Sequence, residues 1–260
     1  MDDKQKEEIK LKLQEFGLNN WYHNIEVIKG SGIFTQEEKT CVNFGRKFAL
    51  KGIPESYWVG KRVLDLGSFS GALSFALEDL GAEVVAVDVQ DPDLNGFGLI
   101  HNIRNSSVEF KRISIYDLDP EELGLFDVVA FTGLFYHLKH PLLAFERINS
   151  VCKEDAYLIT IGTSSDLWFH NDETNSCDDG VSFLSTVVSN GKSLNKYPIC
   201  GFSANHYYTD TSNWFIPNLT CLKSWHKASG FDVIHEELKE STKVLTYPEG
   251  DKIVPRSIMK

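Results

Sequence analysis

Arg62-Val-Leu-Asp-Leu-Gly-Ser-Phe-Ser-Gly71 joins a short apolar run to a glycine turn, and Ala72-Leu-Ser-Phe-Ala-Leu77 continues it with a helical pattern. Val63 to Leu66 has the length and composition of a buried strand carrying one acidic residue, Asp65. Strand, glycine turn and helix in that order let a nucleotide-like ligand approach bare backbone. Gly67 and Gly71 lack a Cβ, which suits a tight turn and close approach. A second apolar run, Val84-Val-Ala-Val87, ends in Asp88. Asp88 follows Asp65 by 23 residues, near the ~20-residue interval at which nucleotide-binding βαβ units place a ribose-binding carboxylate.

The glycine spacing excludes the dinucleotide fingerprint. That pattern needs Gly-x-Gly-x-x-Gly, whereas this turn has two glycines four apart, with Asp65 two residues before the first. Asp-x-Gly-x-x-x-Gly resembles motif I of the class I S-adenosylmethionine (SAM)-dependent methyltransferases. A sulfonium cofactor has no pyrophosphate, so no phosphate cradle is required, and an acidic residue can help orient its charged amino acid end.

Outward from this turn, strand-like and helix-like segments alternate. Strands are predicted at 63–66, 84–87, 108–113, 126–131 and 156–161, with helices at 72–80, near 99–105 and at 142–151. This alternation predicts a parallel sheet with helices on both faces and right-handed crossovers. Lys4 to Phe16 predicts an amphipathic helix with Ile9, Leu13 and Phe16 on one face, stopped by Gly17, and a further helix is expected at 39–50. Residues 217–230 predict a late helix ending at Gly230, followed by strands at 231–235 and 243–247 as an antiparallel pair. The Asp-, Asn-, Ser- and Tyr-rich stretch from Ser164 to Ser212 interrupts the rhythm and is expected to be an insertion covering the site. The domains expected are an N-terminal helical lid over 1–58 and a SAM-binding domain over 59–260.

Composition narrows the function classes. The 260 residues are 42% hydrophobic and 24% charged, ordinary for a soluble globular protein. No apolar run reaches the ~20 residues that span a bilayer, and the charged N-terminus lacks the apolar core of a signal peptide, so a cytoplasmic protein without a membrane partner is expected. Five scattered cysteines contain no Cys-x-x-Cys pair, which predicts reduced thiols and no zinc site. The net charge of −11 disfavours nucleic acid without excluding it. Asp166, His170 and Asp172 carry potential ligand atoms, but this arrangement is common by chance in polar loops, and no metal is expected. A monomer or homodimer is expected.

Three further segments are similar to one group of methyltransferases. Phe126-Asp-Val-Val-Ala-Phe-Thr-Gly-Leu-Phe-Tyr-His-Leu-Lys-His-Pro141 resembles the fourth-strand motif of the class I enzymes, and in particular of the bacterial tRNA wobble-uridine carboxymethyltransferases and their shorter relatives. Asn213-Trp-Phe-Ile-Pro217 with 222–231, and Trp21-Tyr-His-Asn-Ile-Glu26 with Gly32-Ile-Phe-Thr35, are similar to the same group. The resemblance implies an α/β, Rossmann-like class I methyltransferase fold. Its sheet would be mainly parallel and seven-stranded with an antiparallel edge strand, plus the N-terminal lid and an insertion after the fifth strand. It implies cofactor contacts from Asp65, Gly67, Ser68, Phe69 and Gly71, from Asp88 and Val89 at the ribose and adenine, from Ile115 and Tyr116 at the adenine, and from Thr132 and Tyr136. Carboxymethyl transfer would need cations; Lys29 and Arg256 lie in no matched stretch, and the chain lacks the length for the long N-terminal region of the full tRNA enzymes. Both departures point to ordinary SAM and plain methyl transfer.

Methyl transfer from a sulfonium requires an acceptor lone pair held in line and shielded from water. A hydroxyl acceptor also gains from a base. His137 and His23 are the candidate bases, because imidazole titrates near neutral pH, with Tyr136 shaping the pocket. Trp21, Tyr22, His206, Tyr207, Tyr208 and Trp214 are the candidate acceptor wall. The expected reaction is methylation at O or N of a small, aromatic or heteroaromatic metabolite; tRNA modification and a catalytically idle SAM-binding module are the alternatives.

Overall fold

The structure, a computed structural model, describes residues 1–17, 21–36, 49–164, 168–171, 176–179, 196–202, 212–239, 245–247, 250–252 and 256–259. The expected helix over 39–50 lies almost wholly outside them, as do His206, Tyr207, Tyr208, Asp166 and Asp172. The chain packs as two compact units: Met1–Ala130 with Cys152–Ala156, and Phe131–Val151 with Tyr157–Lys260.

In the first unit, α1 (Asp3–Phe16) starts at a capping box in which the Asp2 side chain accepts from Gln5 N–H and Gln5 reaches back to Asp2. It ends at Gly17, whose φ of 98° few other residues adopt. Ile9 and Leu13 are its buried face. The strands β1 (Arg62–Leu66), β2 (Glu83–Asp88) and β3 (Glu109–Arg112) pair in parallel, with Leu64 opposite Val85 and Val87 opposite Lys111. Between them run α2 (Ala72–Glu78) and α3 (Phe97–Arg104). The first six residues of α2 are buried, and Phe97 lies 5.0 Å from Phe75 and 4.7 Å from Phe110, ring to ring. A short helix α4 (Pro120–Leu123), capped by Asp119, leads into β4 (Phe126–Thr132).

The second unit holds the end of β4, α5 (Pro141–Ser150) and most of β5 (Cys152–Thr163). It continues through β6 (Trp168–Asn171) and β7 (Ser176–Asp179), an antiparallel pair, then β8 (Cys200–Phe202) and β9 (Phe215–Pro217), a second pair. α6 (Leu219–Ala228) follows, capped by Asn218, with β10 (Glu236–Lys239), β11 (Leu245–Tyr247), β12 (Gly250–Lys252) and β13 (Arg256–Met259). His226 pins α6 to β5: its Nε2 meets the Thr160 hydroxyl at 2.8 Å while Nδ1 donates to Leu222 C=O. Phe145 of α5 packs 4.5 Å from the same imidazole.

The strand order is β10-β13-β5-β4-β1-β2-β3. Five strands form the parallel central sheet, and β10 and β13 add an antiparallel pair. β13 also runs antiparallel to β5, so the reversed strand stands one place in from the end of the order. Most element ends fall within one or two residues of expectation, and three differences are larger. β5 starts at Cys152, four residues early, because a ladder is backbone and tolerates charge where Lys153 can pair with Asp127 at 2.9 Å. Residues 231–235 are not a strand; the strand begins at Glu236, where β10 pairs with β13. Leu245–Tyr247 pairs with Gly250–Lys252 instead of with 231–235, a local hairpin in place of the expected long-range pair. Among the described residues, no helix is long and apolar enough to cross a membrane.

Candidate active site

The glycine turn between β1 and α2 is sewn to the end of β2. Gly67 and Ser68 N–H both donate to Val87 C=O, at 2.8 and 3.2 Å, and Phe69 N–H donates to Asp88 Oδ2 at 2.9 Å. Gly71 N–H closes the turn on Ser68 C=O. Gly67 and Gly71 take φ of 69° and 83°, and a Cβ on Gly71 would lie 2.4 Å from the Phe75 ring. Phe69 takes φ of 47°, a left-handed conformation that a side-chain-bearing residue holds only when its surroundings impose it. Those surroundings are the Asp88 carboxylate below and aromatic neighbours above: Tyr22 and His23 sit edge-on to Phe69 at 5.5 and 6.0 Å.

The two acidic residues differ. Asp65 is buried and takes a hydrogen bond from the Ser74 hydroxyl, so its carboxylate is directed at α2. Burial pushes it up to about 6; the Ser74 hydroxyl works against that shift and the nearby Asp88 charge adds to it. Asp88 Oδ1 accepts from Gln90 N–H at 2.9 Å, while Oδ2 holds Phe69. Each carboxylate oxygen has two lone-pair directions, so one acceptor position remains on each. A vicinal diol such as a ribose is matched by such a pair. The buried Ser68 hydroxyl has no hydrogen-bond partner among the described residues. Bare backbone, a paired acceptor and an orphaned hydroxyl together fit a nucleoside-bearing cofactor.

The segment 21–36, too irregular in sequence for a periodic element, is a small hairpin. Val27 N–H donates to Ile33 C=O at 2.9 Å, Thr35 N–H to Ile25 C=O at 3.0 Å, and Glu26 bridges Phe34. Arg104 Nη1 holds Val27 C=O at 3.0 Å, and Lys29 Nζ donates to Asp79 C=O at 3.2 Å. Trp21, expected in the acceptor wall, is instead 3% exposed, 4.7 Å from the Phe16 ring, over Gly96, where a Cβ would lie 2.3 Å from the indole. Its neighbour Tyr22 is 52% exposed. His23 Nδ1 and the fully buried Ser70 hydroxyl are 2.8 Å apart, and burial lowers the imidazole to about 4.

In the second unit, a 3-10 turn at Phe135–His137 follows β4. Phe135 fills the space above Gly162, where a Cβ would come within 2.2 Å of its ring. Gly133, at φ of 68°, donates to Ile161 C=O at 2.7 Å. Tyr136 and His137 rings lie 4.4 Å apart, and His137 Nδ1 meets the Ser212 hydroxyl at 2.8 Å. Trp214 N–H donates to Tyr136 C=O at 2.8 Å, and the Lys139 ammonium lies 4.4 Å from the Trp214 ring centroid. Trp214, far from Tyr136 and His137 in sequence, is therefore brought beside them. Ser212, Lys139, Ser70 and Ser74 were not anticipated, since a lone Ser or Lys carries no spacing signal. Of the remaining candidates, Ile115 is buried, Tyr116 N–H is capped by Ser114, and Val89 is exposed with its C=O accepting from Arg112. Thr132 ends β4. Arg256 lies in β13, and Lys29 is engaged at Asp79.

A parallel sheet whose first strand ends in an acidic glycine turn, with a second carboxylate at the end of the next strand, is the frame of a protein that takes a nucleoside-bearing cofactor. The chain belongs to the methyltransferase domain family, whose model matches residues 45–236. It is 36% identical over 95 residues to the ubiquinone biosynthesis O-methyltransferase of Xanthomonas campestris (36% of this chain, 39% of that protein). Against the enzyme of the same name from Bordetella avium it is 30% identical over 104 residues (40% of each). The chain thus spans about two fifths of the length of these curated relatives. Among solved structures, the N-terminal domain of EvdMO1, crystallised in the presence of SAH and D-fucose, aligns with a TM-score of 0.60 at 18% identity, covering 100% of this chain and 96% of that one. An S-adenosylmethionine dependent methyltransferase from Mesorhizobium loti aligns at 0.55 and 14% identity, covering 84% and 99%. At these identities the structural likeness shows the fold.

Proposed function

We propose that this methyltransferase uses SAM to methylate O or N of a small aromatic or heteroaromatic metabolite. The observation that carries the cofactor is Asp88, whose carboxylate shapes the glycine turn through Phe69 and keeps an acceptor position on each oxygen for a ribose diol. Gly67 and Ser68 are assigned to the amino acid end of the cofactor, beside bare backbone; Ile115 and Tyr116 to the adenine; Val89, Thr132 and Tyr136 rest on the resemblance alone. Asp65 acts from beneath, holding β1 to α2 through Ser74. SAM supplies an electrophilic sulfonium methyl; the chain supplies alignment, exclusion of water and a proton acceptor.

His137 is the base. Its Nδ1 is held 2.8 Å from the Ser212 hydroxyl, beside the Tyr136 ring, which fixes the imidazole at the end of β4. His23, lowered to about 4, is too weak a base for this step and instead supports Ser70 in the glycine turn. Tyr22 in the first unit, 52% exposed, and Trp214 in the second are each kept as separate aromatic candidates for acceptor contact. The relatives named for ubiquinone biosynthesis support oxygen as the acceptor atom.

Labelled SAM incubated with a panel of phenols and nitrogen heterocycles, and separately with total tRNA, tests this reading. Label in a small molecule is expected. Label confined to tRNA would favour the wobble-uridine modification suggested by Tyr136-His137, Pro141 and Phe215-Ile-Pro217, and that binding would weaken steeply with salt. Binding without any product would favour a non-catalytic SAM module.

A further inference from the structure

Arg104, the last residue of α3, keeps only 7% of its side chain exposed. A charge so enclosed is costly unless its N–H groups find acceptors. Nη1 donates to Val27 C=O in the 21–36 hairpin at 3.0 Å, and Nη2 to Phe75 C=O in α2 at 3.5 Å and to the Asp79 carboxylate just beyond that helix. Nε lies 3.6 Å from Glu78 Oε2, and the guanidinium carbon stands 5.2 Å from the Phe75 ring centroid. One side chain therefore grips both the hairpin and α2.

Both grips lead to the glycine turn. On the α2 side, Phe75 N–H donates to Gly71 C=O at 2.9 Å, and the Phe75 ring fills the space where a Gly71 Cβ would stand. On the hairpin side, Val27 is bonded across to Ile33, and Ile25 to Thr35. Thr35 Oγ1 accepts from Ile25 N–H at 3.0 Å and donates to His23 C=O at 2.8 Å. Residues 23–35 are thereby tied into one piece, which ends with His23 against Ser70 and Tyr22 against Phe69. Among the described residues, the hydrogen bonds of Arg104 go to Val27, Phe75 and Asp79, none of them in the turn.

We propose that Arg104 is a positioning residue for the cofactor. By fixing the hairpin to α2, it sets the gap in which Tyr22 and His23 lie over Phe69 and Ser70, and through that gap the affinity for SAM. The inference rests on the glycine turn being the SAM site. The planar fork of an arginine reaches a hairpin carbonyl, a helix carbonyl and a carboxylate at once; a lysine ammonium is a point charge with three donors and cannot span them. Lys29 Nζ, on Asp79 C=O at 3.2 Å, is a second, exposed tie that keeps the hairpin in place when the first is weakened.

The full chain and its Arg104→Lys variant, with melting curves to confirm folding, are compared by calorimetric titration with SAM and by hydrogen exchange without ligand. The variant is expected to bind SAM about tenfold more weakly. Its Val27, Thr35, Phe69 and Gly71 amides should exchange several-fold faster, while Val85 in β2 keeps its rate. With Tyr22→Ala and His23→Ala already in place, adding Arg104→Lys should weaken SAM by less than about twofold, because the hairpin no longer reaches the turn. Asp79→Asn, which weakens the anchor of Arg104 at nearly constant volume, replaces Arg104→Lys if that variant folds poorly, with the same pattern expected at smaller amplitude. Wild-type SAM affinity in the folded variant, the full tenfold loss in the Tyr22→Ala, His23→Ala background, or unchanged exchange in the hairpin and the turn would overturn the proposal. Failure of the wild type to bind SAM would overturn the cofactor reading and with it the effect on affinity; the exchange pattern decides the positioning by itself.

Discussion

His23 and His137 each meet a serine hydroxyl through Nδ1 at 2.8 Å, yet the two imidazoles stand in different surroundings. His23 lies on the glycine turn, between Phe69 and the buried Ser70, and burial lowers it to about 4. His137 and Ser212 form an exposed pair beside Tyr136, on the turn that Trp214 caps through its backbone. The same bond is closed off from water at His23 and open to it at His137, and burial acts on the imidazole of the first. A histidine in a promising motif is therefore assigned by what encloses it.

Substitution should separate the pair. His137→Ala is expected to lower kcat by about 10²–10⁴-fold with SAM affinity unchanged, read by steady-state kinetics and calorimetry. An equal loss of SAM affinity would make His137 structural. The turn beneath His23 should respond as a structural element: Gly71→Ala, strained by its φ of 83° and its approach to Phe75, is expected to cost about 1–3 kcal/mol in denaturant unfolding. His23→Ala should cost about 1 kcal/mol, raise KM for SAM and leave the pH profile of kcat in place. A shifted kcat profile in that variant would return the base to His23.

Acid sharpens the comparison further. His23 and His226 are both lowered from 6.5 to about 4, so the stability that each contributes is complete above 6.5 and is lost as pH falls toward 4. Asp65, raised from 3.8 to about 6, works the other way: its contribution is present below 3.8 and is lost as pH rises through 6. Two groups against one predict a lower melting temperature at pH 5 than at pH 7. His23→Asn should shrink that difference by removing one of the two.

Much of the first unit was legible because its signals are local. Val63–Leu66, Gly67, Gly71 and Asp88 announce a strand, a turn and a strand end through composition and spacing, and α1 through its cap and period. The second unit was legible in pieces: Tyr136 and His137 follow a readable strand, but nothing in sequence connects them with Ser212 or Trp214. Charge hid the start of β5 at Lys153-Glu-Asp155, and apolar residues at 231–235 suggested a strand that backbone pairing places at Glu236. Trp21 was read for its chemistry, while Gly96 and Phe16, which make room for its ring, are separated from it in sequence by no recognisable pattern. The same holds for Asp65, whose partner Ser74 decides which way the carboxylate turns.

Calorimetric titration of SAM into the wild-type protein and into Asp88→Ala, with melting curves to confirm that both are folded, is the most direct test of the glycine turn as a cofactor site. One SAM bound by the wild type and an affinity at least about tenfold weaker in the variant are expected, from the loss of charge-assisted acceptors for the ribose hydroxyls and of the Phe69 tether. Equal affinity in a folded Asp88→Ala protein, or no binding by the wild type, would contradict it.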